Sequence, residues 1–160
     1  MRSKLAKGAL ALGAVLAASA GSHAAQAGEP LEIKLATLIS VAASDPSTVV
    51  PVEQDGTIPY KVGESCYGWY LEFAPVDRPV VLEEMLSIAG PAERWNVDDG
   101  TAVADDRSSA RTTLTVDGRE GHALHVWCVV EDDPEGPYRF RIREQGAPSG
   151  IELRFRLEGQ

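Results

Sequence analysis

Residues 138 to 157 read Tyr-Arg-Phe-Arg-Ile-Arg-Glu-Gln-Gly-Ala-Pro-Ser-Gly-Ile-Glu-Leu-Arg-Phe-Arg-Leu. Apolar and charged residues alternate on both sides of a short segment rich in Gly and Pro. Successive side chains of a strand point to opposite faces, so this period-two pattern is that of two half-buried strands joined as a hairpin. Tyr138, Phe140 and Ile142 then share an inward face with Ile151, Leu153, Phe155 and Leu157. The outward face carries Arg139, Arg141, Arg143, Arg154 and Arg156.

Moving toward the N-terminus, Leu124, Val126, Cys128 and Val130 alternate with His125, Trp127 and Val129. A strand apolar on both faces is expected at the centre of a sheet. Before it, Asp117-Gly118 signals a tight turn and Arg111 to Val116 a short strand, while residues 91 to 109 are polar and irregular around Trp95. Val80 to Ile88 reads as a strand. A helix over Val81 to Ala89 competes, because Glu83, Glu84, Met85 and Leu86 favour helices, but Pro79 and Gly90-Pro91 bracket only a strand-length segment. In Cys66 to Phe73, Tyr67, Trp69, Leu71 and Phe73 share one face. Leu31, Ile33, Leu35, Thr37, Ile39 and Val41 alternate in the same way, and residues 44 to 60 form a connection with room for a short edge strand. Seven or eight short strands with Gly and Pro turns predict an all-β fold, a two-sheet immunoglobulin-like sandwich.

Gly63-Glu64-Ser65-Cys66-Tyr67-Gly68-Trp69, the strand from Val80 to Ile88 leading to Pro91 and Trp95, and the closing Gly136-Pro137-Tyr138-Arg139-Phe140 resemble small exported bacterial immunoglobulin-like domains of uncharacterised function, over roughly residues 57 to 157. The resemblance implies a fold and no particular reaction.

The N-terminus has the tripartite form of a secretory signal. Arg2, Lys4 and Lys7 precede an Ala-rich apolar run that ends in Ala25-Gln26-Ala27, which predicts a cleaved signal peptide over 1–27 and a single domain over 28–160. The apolar run is shorter than a bilayer crossing requires, so no membrane insertion after cleavage is expected, and the destination is periplasmic or secreted. Removing those three cations from the 15 Lys and Arg leaves 12 against 24 acidic residues, a net charge of −12 for residues 28–160. That field disfavours nucleic acid as a partner.

An exported chain with two cysteines, Cys66 and Cys128, is expected to bridge them. Parity complicates the pairing. Cys66 lies opposite the Tyr67, Trp69, Leu71 and Phe73 face, whereas Cys128 lies with Leu124 and Val126. If those are the two core faces, the bridge needs a bulge at Gly68 or a Cys66 that precedes the strand.

His122, His125 and Cys128 recur every third residue, but on a strand they cannot converge, so no metal site or cofactor is expected. The carboxylates at Asp98, Asp99, Asp105 and Asp106 and from Glu131 to Glu135 suit solvated turns better than a calcium loop. Five arginines on one hairpin face of an acidic protein make a candidate surface for a small anionic ligand or an acidic protein of the envelope. Trp127 is the second candidate, either core or, if exposed near Tyr70, part of a stacking platform. No nucleophile elbow, zinc-protease helix motif or phosphate loop is present, and the expectation is a non-catalytic binding module. The alternative is a metal or redox accessory protein built on Cys66, Cys128 and the nearby histidines.

Overall fold

The computed structural model describes residues 30–159. The expected signal peptide, and cleavage before Gly28, lie outside the described residues. Ten strands form two sheets packed face to face. They are β1 (Ile33–Ala42), β2 (Asp45–Val52), β3 (Gly56–Pro59), β4 (Ser65–Phe73), β5 (Pro79–Ser87), β6 (Thr101–Val103), β7 (Ser109–Asp117), β8 (His122–Cys128), β9 (Gly136–Glu144) and β10 (Ile151–Glu158). The smaller sheet has the order β2-β1-β4-β8 and the larger β3-β10-β9-β5-β7-β6. All pairs are antiparallel except β3 with β10. The chain is thus a two-layer β-sandwich. Ten strands are found where seven or eight were expected, because the segments read as connections contribute short edge strands.

The core lies between the sheets and follows the alternation of the sequence. Tyr67, Trp69, Leu71 and Phe73 of β4 meet Val80, Leu82 and Leu86 of β5, Tyr138, Phe140 and Ile142 of β9, and Leu153, Phe155 and Leu157 of β10. Tyr67 packs edge-on to Tyr138 with ring centroids 5.6 Å apart, and its ring is 5.0 Å from that of Phe155. Such offset and edge contacts suit the ring quadrupoles. The helix reading for residues 81 to 89 fails because β5 is held on both sides, by β7 and by β9.

Two face assignments are corrected. In β1, Ala36 and Leu38 turn toward the core, while Ile39 and Val41 join Cys66 in a second apolar cluster on the outer face of the small sheet. A register shift between Ile33 and Leu35 breaks the simple alternation, and Leu35 is left 47% exposed. In β8, the inward set is Ala123, His125 and Trp127, continued by Val129 just past the strand, so Leu124 and Val126 face outward. This strand stands at the edge of its sheet and not at the centre. Its two apolar faces arise from two separate clusters, the core inside and the Cys66 cluster outside.

The same correction resolves the cysteine parity. Cys66 and Cys128 are direct partners on neighbouring strands and form a disulfide on the outer face of the small sheet. No bulge is needed, because the face that holds Leu124 and Val126 is the outer one. Gly68 lies two residues along, where β4 and β8 approach so closely that an added Cβ would stand 2.0 Å from the His125 carbonyl oxygen. The bridge spans 62 residues of chain. Replacing Cys66 and Cys128 together by Ala is expected to lower the unfolding free energy by about 4 kcal/mol through released loop entropy, read as a lower urea midpoint with a steeper slope, because the unbridged unfolded chain exposes more surface.

Candidate functional site

Two polar arrangements stand out, one between the sheets and one on the outer face of the larger sheet. The first begins with Glu84, which follows Val80 and Leu82 on the inward side of β5 and is 1% exposed. An isolated carboxylate there would be strongly disfavoured. The small sheet supplies its partners. The indole Nε1–H of Trp127 donates to Oε1 at 2.8 Å, the indole Nε1–H of Trp69 donates to Oε2, and His125 Nδ1 lies 2.7 Å from Oε2. Indoles can only donate, so both carboxylate oxygens act as acceptors. Trp95, from the loop before β6, packs edge-on against Trp127 at 5.9 Å and donates its own Nε1–H to the Arg107 carbonyl. The cluster ties one layer to the other and encloses the Glu84 carboxylate between them.

The second arrangement is built by the strand alternation of β9 and β10. Every second residue of these strands points away from the core, which places Arg139, Arg141, Arg143, Arg154 and Arg156 on one outer face. Register then extends the face across two more strands. One row runs Glu152, Arg141, Met85, Arg111, and the next runs Arg154, Arg139, Ser87, Ser109. Arg143 stands opposite Glu83, with Thr113 beyond it.

Carboxylates are interleaved with these cations. Arg141 meets Glu152 at 3.0 Å, Arg143 meets Glu83 at 2.6 Å and Arg154 meets Asp55 at 3.0 Å, while Arg156 pairs with Glu158. Six guanidinium groups thus face four carboxylates. Arg111 has no ion-pair partner among the described residues. Beside it, Glu83, Met85, Arg141, Arg143 and Ser149 line a shallow concavity of about 490 Å³. Its lining sets the guanidinium groups of Arg111, Arg141 and Arg143 beside the carboxylates of Glu83 and Glu152, with Met85 and Ile151 as apolar neighbours.

The family follows from the comparison of this chain with family models. A model described as PM0630 beta sandwich domain matches residues 37–150. The chain belongs to the PM0630 beta sandwich domain family. No curated protein matches it. The matched span contains all of β2 to β9 but stops before β10, so it holds Arg111, Arg139, Arg141 and Arg143 and leaves out Arg154 and Arg156.

For this PM0630 domain, the five arginines of the hairpin are brought together as expected, and Arg111 joins them. Arg111 lay in a predicted strand, but only the register of β7 against β5 reveals its neighbours. Glu84 was also passed over, although an acid in the apolar series Val80, Leu82, Glu84, Leu86 is a legible anomaly. Trp127 and Tyr70 do not form a platform. Trp127 is buried between the sheets, and Tyr70 is on the opposite face of the small sheet, stacked on His122 at 6.1 Å. The reason is parity, since Tyr70 pairs with Leu124 and Trp127 with Tyr67.

Both cysteine sulfurs are committed to the disulfide, and among the described residues no group of His, Cys, Asp and Glu has the arrangement of a metal site. The acidic loops serve their own turns. Asp106 accepts from the Ser108 amide, Asp133 from the Val130 amide at 3.0 Å, and Glu131 pairs with Arg94.

Asp133 differs from the other loop acids in being partly buried near Tyr60, Tyr67 and Tyr138. Desolvation pushes its carboxyl up to about 6, and its charge in turn helps hold the Tyr138 hydroxyl above the usual range, where burial is the larger cause. A folded-state value above the unfolded one means the folded chain keeps a proton that the unfolded chain has lost. This group's contribution therefore falls as pH rises from about 4 to about 6.

Asp133→Asn retains an acceptor for the Val130 amide and is expected to stabilise the protein by about 1 kcal/mol at pH 7, after allowance for solvent screening. The difference from the parent should vanish near pH 4, as measured by urea unfolding at each pH. Glu84→Gln is expected to cost about 3 kcal/mol, because its amide group turns a donor toward partners that are themselves donors. Denaturation followed by tryptophan fluorescence measures this loss.

Proposed function

We propose that this chain is a non-catalytic binding module that acts after export, in the periplasm or outside the cell, and that its contact surface is the arginine-covered outer face of the larger sheet. The observation that carries this reading is the concentration of Arg111, Arg139, Arg141, Arg143, Arg154 and Arg156 on one face, in a chain whose residues 28–160 have a net charge of −12. Half of the 12 cations of that span are gathered there, with Arg111 unpaired among the described residues. The occupant is a carboxylate-bearing partner, an acidic protein segment or a small anionic ligand. The overall negative field disfavours nucleic acid, whose long charged backbone would be repelled beyond the contact patch.

Export is supported by the tripartite N-terminus and agrees with a disulfide, a bond that persists in oxidising compartments. Kinship with small immunoglobulin-like domains belongs to the same proposal and rests on the two mainly antiparallel layers. The metal or redox reading has less in its favour, because the bridge occupies both sulfurs and His122 and His125 are assigned to opposite faces of β8.

A hexaglutamate peptide titrated calorimetrically into the purified protein is expected to bind, with affinity falling as salt rises. Arg111→Gln with Arg141→Gln should weaken that binding at least about tenfold, the scale of one lost charge-assisted contact. Thermal unfolding should change little, because both side chains are exposed. Absence of binding at low salt, or binding that is indifferent to the double substitution, refutes the proposal.

A further inference from the structure

We infer that the free edge of β8 is an association surface for a second copy of this chain, joined as an antiparallel strand pair around a two-fold axis. The inference begins with the backbone. Val129 N–H donates to the Ser65 carbonyl at 2.9 Å, one position beyond the Cys66 and Cys128 pair. Hydrogen-bonded and non-hydrogen-bonded pairs alternate along an antiparallel ladder, so Cys66 with Cys128 is a non-bonded pair, and so are Gly68 with Val126, Tyr70 with Leu124 and Glu72 with His122. The N–H and C=O groups of His122, Leu124, Val126 and Cys128 therefore point away from β4, toward the side where the sheet ends.

The four sheet edges differ in how they are protected. Edge strands invite pairing with other chains unless they are short, charged or interrupted by proline. β2 carries Pro46 and Pro51, β3 has four residues including Pro59, and β6 has three. β8 has seven residues, no proline, and no Lys, Arg, Asp or Glu, and the disulfide holds one end of it to β4. It has the composition of a central strand in an edge position. Leu124 is 52% exposed on it, beside Tyr70 and Val126.

A two-fold axis through His125 pairs the whole strand with its copy. Leu124 then meets Val126 of the second copy, His122 meets Cys128, and Ala123 meets Trp127. The bonded positions of that ladder are the four residues whose backbone groups point outward. No acidic residues are opposed within the pairing, and the exposed Leu124 is covered by an apolar neighbour. The strand is thus self-complementary in hydrogen bonding and in side chains, as a two-fold interface requires.

The test is sedimentation of the disulfide-bonded protein from about 1 µM to about 1 mM, with amide hydrogen exchange at both ends of the range. A monomer–dimer equilibrium is expected, in which the Leu124 and Val126 amides exchange more slowly at high concentration. Because two acidic copies repel, salt should strengthen the dimer. Val126→Pro removes an outward N–H from each copy and should raise the dimer dissociation constant at least about thirtyfold, the scale of the two hydrogen bonds lost by symmetry. Leu124→Lys, which leaves the backbone intact, should weaken the dimer in the same direction. A monomer at every concentration overturns the inference. So does a dimer that withstands Leu124→Lys, or one that salt dissociates, the behaviour of an arginine face seated on another copy's acidic loops.

Discussion

A carboxylate enclosed between two sheets must be met by hydrogen-bond donors, and Glu84 is met by three. The donors come from β4 and β8 of the small sheet, while the acceptor comes from β5 of the large one. Apolar contacts are non-directional, whereas a buried carboxylate with directed partners ties particular side chains to one another. The cluster therefore fixes how the layers lie across each other at this end of the sandwich. It also explains why β8, an edge strand, turns His125 and Trp127 inward. Reversing the strand's faces would remove two of the three donors.

Once the faces of β8 are fixed, other features follow. Cys128 must face outward, where Cys66 also faces, and the disulfide then joins neighbouring strands within one sheet. Leu124 and Val126 are placed on the outer side with Ile39, Val41 and Tyr70, which makes that face apolar. The opposite exterior of the sandwich is coated with arginine and glutamate. Charge on that face keeps water against β9 and β5 and leaves a cationic surface on an acidic molecule. The two exteriors thus differ in kind, one rich in charged side chains and the other mostly apolar, with Thr37, Glu72 and His122 among its polar residues.

Much of this was legible along the chain. The alternation in β9 and β10 identified the hairpin, the inward aromatic residues and the arginine face, because strand parity is a local property. The strands β4, β5 and β7 were likewise readable from their apolar periodicity and their bounding prolines and glycines. The errors of face share one cause. Parity says which residues share a face but not which face is inside, and in β1 and β8 both faces carry apolar residues. Trp127 and Tyr70 were therefore considered together although they lie on opposite sides of one sheet.

By itself the sequence determined a two-sheet β-sandwich and the grouping of Arg139, Arg141, Arg143, Arg154 and Arg156, since backbone geometry alone sends alternate side chains to opposite sides. Tertiary structure decided the rest. The register of β5 between β7 and β9 brought Arg111 beside Arg141, and the packing of the layers brought Glu84 to Trp69, Trp127 and His125. Sheet order left β8 at an edge. These are relations between strands distant in sequence, and they depend on which partners satisfy a strand's hydrogen bonds and cover its faces, a choice that periodicity within the strand does not encode.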